Sequence, residues 1–163
     1  MKKIIAMLLV LVTLLSFAAC GQKASAPTDE TPAPDASIAQ TLLFDFRHSS
    51  ASSMEALANE LLENEVLDFA GVAMPVEEGY LNGFTEEIHG FTEGVMFAPM
   101  IGAIPFVGYV FKTENDAAAK ELAKALTDAH DLRWNICTQA DEMICDAKDD
   151  TVFFVMAPTA FEE

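Results

Sequence analysis

The hydrophobic pattern divides the chain into a leading apolar run, a polar connecting stretch and a long periodic region. Residues 4–19 are almost continuously apolar behind Lys2 and Lys3 and close on Ala18-Ala19-Cys20. Gly21 to Ser37 is rich in Ala, Pro, Ser, Thr and acids, with no aromatic residue. Such a stretch buries too little apolar surface to offset ordering entropy, so a disordered, fairly extended tether is expected. From about Ile38 to Glu163 apolar positions recur without a second linker or an internal repeat, a length that fits one domain around one core. The expected organisation is 1–19, 20–37 and 38–163.

Within the last region, Ser52 and Glu55 have the spacing of a capping box, with Ser52 as N-cap. Met54, Leu57, Ala58, Leu61 and Leu62 follow at helical intervals, with Glu60 and Glu63 facing outward. Asp68 to Gly94 is broken by glycines and predicts a loop-rich crossing with one weak strand. Val95–Ile101 and Phe106–Lys112, joined by Gly102-Ala103-Ile104-Pro105, predict a β-hairpin, and Pro99 suggests an edge or a bulge in its first strand. A second helix is expected over Thr113–Asp131, with Ala119, Leu122, Ala123, Leu126 and Ala129 as its apolar stripe. Met143–Cys145 and Thr151–Met156, around Ala147-Lys148-Asp149-Asp150, predict a second hairpin. The simplest architecture that buries both stripes is α+β: an antiparallel sheet of four to five strands with two helices packed on one face.

Charge then narrows the setting. The full chain carries −17, and loss of Lys2 and Lys3 with the leading segment takes it to −19. The remaining Lys and Arg residues are scattered, so neither nucleic-acid phosphates nor an anionic lipid surface would attract the domain electrostatically. The N-terminal pattern matches a bacterial lipoprotein signal, with Cys20 as the residue that receives the lipid. The apolar run is short of the ~20 residues of a spanning helix and lacks a basic stop-transfer flank, which argues against a retained anchor. Cleavage by ordinary signal peptidase near Ala18 or Ala19 is the other alternative. The expected location is the extracytoplasmic face of the cell membrane, through a lipid on Cys20, since two acyl chains suffice for stable anchoring.

Phe106–Lys112, the Thr113–Asp131 helix and the Met143–Met156 hairpin, after a lipid-attachment cysteine and a Pro/Ala tether, resemble a family of small lipoproteins from clostridia-type bacteria. That family is grouped only as a domain of unknown function. The resemblance lies in the order of elements over residues 50–158, and Arg133-Trp134-Asn135-Ile136-Cys137 has no counterpart in it. It implies location and fold, and brings no activity, cofactor or catalytic residue.

No nucleophile elbow, Ser-x-x-Lys or Cys–His family motif is present, and His48, His89 and His130 lack metal-binding spacing. His130 is expected at the C-terminal end of the second helix, where it suits the helix dipole. The acidic pairs Glu77-Glu78, Glu86-Glu87, Asp141-Glu142 and Asp149-Asp150 lack the alternating oxygens of a calcium loop and read as solvated turns. The mature methionines sit among apolar neighbours and read as packing, not as copper ligands. No catalytic residue, metal ligand or cofactor is assigned.

Cys137 and Cys145 either form a disulfide or remain buried thiols. Trp134 is the sole tryptophan and Arg133 one of only two arginines. With Asn135 they either form a recognition surface, since Trp and Arg are enriched in binding hot spots, or close the core, with Arg133 paired to Asp131 or another acid. Tyr80, in the glycine-rich crossing, is a further recognition candidate. The function expected is a non-catalytic binding module with a protein or small-molecule partner. The alternative is a small cell-envelope hydrolase using carboxylates, whose groups would converge only in three dimensions.

Overall fold

The computed structural model describes residues 31–161; the expected export signal, Cys20 and the expected tether up to Glu30 lie outside them. The first element is a helix missing from the expectations above: α1, Ile38–His48. It begins where the tether was expected to end, and a capping box starts it. Ser37 Oγ accepts from the Gln40 N–H at 3.3 Å, and Gln40 Oε1 accepts from the Ser37 N–H at 3.1 Å. Ile38, Ala39, Leu42 and Phe46 form its buried face.

The second helix, α2 (Met54–Leu62), is capped by Ser53 and not by Ser52 with Glu55. Ser53 Oγ takes the Ala56 N–H at 3.1 Å, so the capping box expected one residue earlier does not form. The stripe Met54, Leu57, Ala58 and Leu61 is buried as its spacing required.

Seven strands follow: β1 (Gly71–Val76), β2 (Gly79–Tyr80), β3 (Glu87–Ile88), β4 (Glu93–Pro99), β5 (Val107–Lys112), β6 (Glu142–Lys148) and β7 (Thr151–Ala157). A third helix, α3 (Asp116–Ala129), lies between β5 and β6 and is capped by Asn115. Five strands pair antiparallel in the order β1-β4-β5-β7-β6, while β2 and β3 form a separate ribbon. The fold is α+β, and both hairpins, β4–β5 and β6–β7, form where β-branched and aromatic runs flank their turns, as expected. Pro99 closes an inner strand opposite Gly71, which corrects the expectation of an edge or a bulge; the edge proline is Pro75 in β1.

Two helices do cover one face of the sheet, but they are α1 and α2. The helix expected beside α2, α3, packs on the opposite face. The residues of β5 and β7 show why. Every residue from Val107 to Phe111 and from Val152 to Ala157 is buried, so side chains of both parities need cover. Phe97, Val110, Phe153 and Val155 meet Leu42, Phe46, Leu57 and Leu61 on one side. Tyr109, Phe111, Phe154 and Met156 meet Leu122 and Leu126 of α3 on the other. A single helical layer would have left one of these sets in water.

Gly108 is fixed by its neighbour across the ladder. It pairs with Phe97, and a Cβ added there would lie 2.1 Å from Phe97 Cζ. The ring occupies the space a side chain would need.

Candidate binding groove

Helix α3 lies over β6 and β7, so it leaves the β1–β4 half of its face to other segments. The 81–91 segment supplies Leu81, Phe84, Ile88 and Phe91. The loop after α3 supplies Leu132 and Trp134. Between these segments and the sheet remains an open groove of about 550 Å³, lined by Met74, Met96, Ala98, Phe106, Val107 and Trp134 among others. No lining side chain is charged, although the chain carries −17.

Two loops wall the groove at the end of the sheet where β4 finishes and β5 begins. The β4–β5 loop carries Met100 and Ile101, each 71% exposed, and the α3–β6 loop carries Ile136, 99% exposed. The loops are tied by side chains donating to backbone carbonyls: Asn135 Nδ2 to Gly102 at 2.7 Å and Thr138 Oγ1 to Ala103 at 3.2 Å. The far side of the groove is set by the sheet, since the Tyr109 hydroxyl donates to the Asn82 carbonyl at 2.9 Å and holds that segment down. Burial pushes the Tyr109 hydroxyl pKa up, which keeps it protonated as a donor.

The structure divides the recognition candidates. Trp134 and Asn135 line the groove, and Trp134 also packs on the core through its partly buried ring, as its core-closing reading expects. Arg133 lies outside the lining, on the exposed side of the same loop. Its backbone N–H donates to Asp131 Oδ1 at 2.8 Å. Among the described residues its guanidinium makes no ion pair, which corrects the expected pairing with Asp131 or another acid. Tyr80 is exposed on the β2–β3 ribbon and does not line the groove. Met74, Met96, Met100, Ile101 and Ile136 were not singled out as site residues. For all of these but Met74 the sequence signal was the absence of any charged residue from Gly94 to Phe111 and from Trp134 to Ala140.

Cys137 and Cys145 are free thiols in the structure. Cys137 is exposed in the loop, whereas Cys145 faces α3, its Sγ 3.5 Å from the Ala123 carbonyl. Burial pushes the Cys145 thiol up to about 12. His130 caps α3 as expected, its Nδ1 2.6 Å from the Thr127 carbonyl. His89 lies between Glu78 and Glu87 at 3.3 and 3.2 Å, exposed to solvent. Hydrogen bonds to Glu87 and then Glu78 hold its pKa above the ordinary value. No cluster of three metal-ligating side chains occurs among the described residues, and none of their helices is long and apolar enough to cross a membrane.

Comparison with known proteins finds no matching family model and no match among curated proteins or solved structures.

Proposed function

We propose that this protein is a lipid-anchored extracytoplasmic binding module that holds an apolar ligand or partner segment against Trp134. The observation that carries this reading is the groove itself. A strongly acidic chain keeps charge away from one open concavity and lines it with methionine, aromatic and aliphatic side chains. Concave, mainly apolar sites with a few fixed polar groups are the usual form of ligand pockets, and methionine suits a surface that adapts to its ligand. Asn135 and the Asn82 carbonyl region supply the polar edge. Carboxylate-based hydrolysis has no group to work with here, because no acid lines the groove. The N-terminal signal and the resemblance to small lipoproteins support the location, with Cys20 as the anchor.

Nile red, a neutral apolar dye, tests the binding reading. Saturable dye binding with energy transfer from Trp134, weakened at least tenfold by Met74→Asp, is expected; tenfold is about 1.4 kcal/mol. Met74 is 41% exposed, so the substitution should leave the fold intact. Dye binding indifferent to Met74→Asp, in a folded variant, would remove the groove from the account.

A further inference from the structure

The chain enters the domain at the end of the sheet that carries the apolar loop tips. Ser37 caps α1, and the Ile38 N–H donates to the Thr159 carbonyl, just beyond β7, at 3.3 Å. The same end of the sheet holds the pairs Gly71–Pro99, Val107–Met156 and Glu142–Ala157. Met100 and Ile101 follow Pro99 directly. The loop carrying Ile136 leads into β6 at Glu142. At the opposite end, the turns between strands carry Glu77, Glu78, Asp149 and Asp150.

We propose that Met100, Ile101 and Ile136 form a membrane-docking tip that seats this end of the domain in the bilayer interface. The inference rests on the reading of Cys20 as a lipid anchor. Sixteen residues lie between Cys20 and Ser37, a reach of at most about 60 Å when fully extended. The anchor therefore confines the domain to a thin shell over the bilayer and presents the end from which the tether leaves. Confinement makes docking an intramolecular event, so three apolar side chains suffice where a free protein would need more. Charge points the same way. An acidic domain is repelled by anionic lipid, yet both tip loops are free of charge from Gly94 to Phe111 and from Trp134 to Ala140. Arg133 stands on the near side of the Ile136 loop, where its guanidinium suits a lipid phosphate, while Asp141 and Glu142 lie at the root of β6 on the same end. The side-chain ties from Asn135 and Thr138 to the β4–β5 loop hold the tip residues together as one surface. Docked in this way, the groove opens at the bilayer surface, where apolar ligands concentrate.

The test uses the full lipidated chain in phosphatidylcholine–phosphatidylglycerol vesicles whose acyl chains are brominated near the headgroup. Trp134, the sole tryptophan, is the reporter beside the tip. Its emission should be quenched, and the quenching should be lost in Ile101→Ser/Ile136→Ser while the protein still floats with the vesicles. Both side chains are exposed, so folding is unaffected; a circular dichroism melt confirms this. A floating, lipidated protein with unquenched Trp134 would overturn the docking tip and leave the anchor standing. The same holds if quenching survives the double substitution, or if the tip is covered by a protein and not by lipid. A mature chain without lipid on Cys20, by intact mass, would instead overturn the anchor and the tip with it.

Discussion

Replacing Gly108 by alanine tests the packing that makes this sheet two-faced. The new Cβ would lie 2.1, 2.3 and 2.6 Å from three atoms of the Phe97 ring. Ordinary carbon contact is ~3.5 Å or more, so ring or strand must retreat by over an ångström. Phe97 is fully buried, between Phe106 at 5.9 Å and Phe153 at 6.5 Å between ring centroids. Overpacking of this kind costs about 1–3 kcal/mol, and the fixed ring places Gly108→Ala near the upper end. For a domain of this size that is a fall in Tm on the order of 10 °C. Urea denaturation followed by circular dichroism gives the free energy directly. Phe97→Leu alone should also destabilise, by roughly 1–1.5 kcal/mol. Combined with Gly108→Ala it should cost less than it does alone, because the smaller side chain relieves the clash. Additive losses, or a Gly108→Ala variant within about 0.5 kcal/mol of the parent, would refute the claim that the Phe97 ring fills the space over Gly108.

Other expectations follow from the polar groups. Tyr109→Phe should cost about 1–2 kcal/mol, measured by urea denaturation, because the Asn82 carbonyl loses its buried donor. A maleimide at neutral pH should label Cys137 in the native protein and Cys145 only after unfolding, since burial pushes the latter thiol up to about 12; equal labelling rates by mass spectrometry would contradict this. His89 should titrate above its ordinary 6.5 in an NMR titration and return toward it in Glu78→Gln/Glu87→Gln. Because its folded pKa is raised, the stabilisation it gives the β2–β3 ribbon is complete below about pH 6.5 and is lost as pH rises through the raised value. Glu78, lowered by the Gly90 N–H and by His89, acts in the opposite sense and loses its contribution as pH falls through its depressed value. Hydrogen exchange of the ribbon at pH 6 and pH 8 reads the first of these effects; protection that does not fall at pH 8 would contradict it.

The four strands of the two hairpins and two of the helices were legible because their composition and spacing are simple, whereas the β2–β3 ribbon lay hidden in the glycine-broken crossing. The stripe at Ala119, Leu122, Leu126 and Ala129 has one helical reading, and the β-branched and aromatic runs on either side of Gly102 and of Asp149 set the two hairpins. The placement of the helices was not legible in the same way. Val107–Phe111 and Val152–Ala157 are continuously apolar, which is the mark of strands buried on both faces, and that feature already called for helices on opposite sides. Helix α1 was also signalled, by Ser37 and Gln40 at capping-box spacing before a stripe of Ile38, Leu42 and Phe46; its position directly after the polar tether masked it. Ser53 displaced Ser52 as N-cap because the first turn begins at Met54, a one-residue shift that spacing alone does not resolve. The groove depends on which strands α3 leaves uncovered, a matter of three-dimensional placement. Trp134 stood out by its chemistry, whereas Met74 and Met96 looked like ordinary core residues because their neighbours are apolar. Arg133 and Tyr80 were drawn in by residue type alone, and the fold puts neither in the lining.

The most direct test of the account follows the methionine methyl resonances of a 13C-methyl-labelled protein as Nile red is added. Met74 and Met96 line the groove, while Met54, the first residue of α2, lies buried in the core on the opposite face of the sheet. Saturable shifts of the Met74 and Met96 methyls are expected, with Met54 unmoved. Shifts centred on Met54, or none at Met74 and Met96 while dye binds, would contradict it.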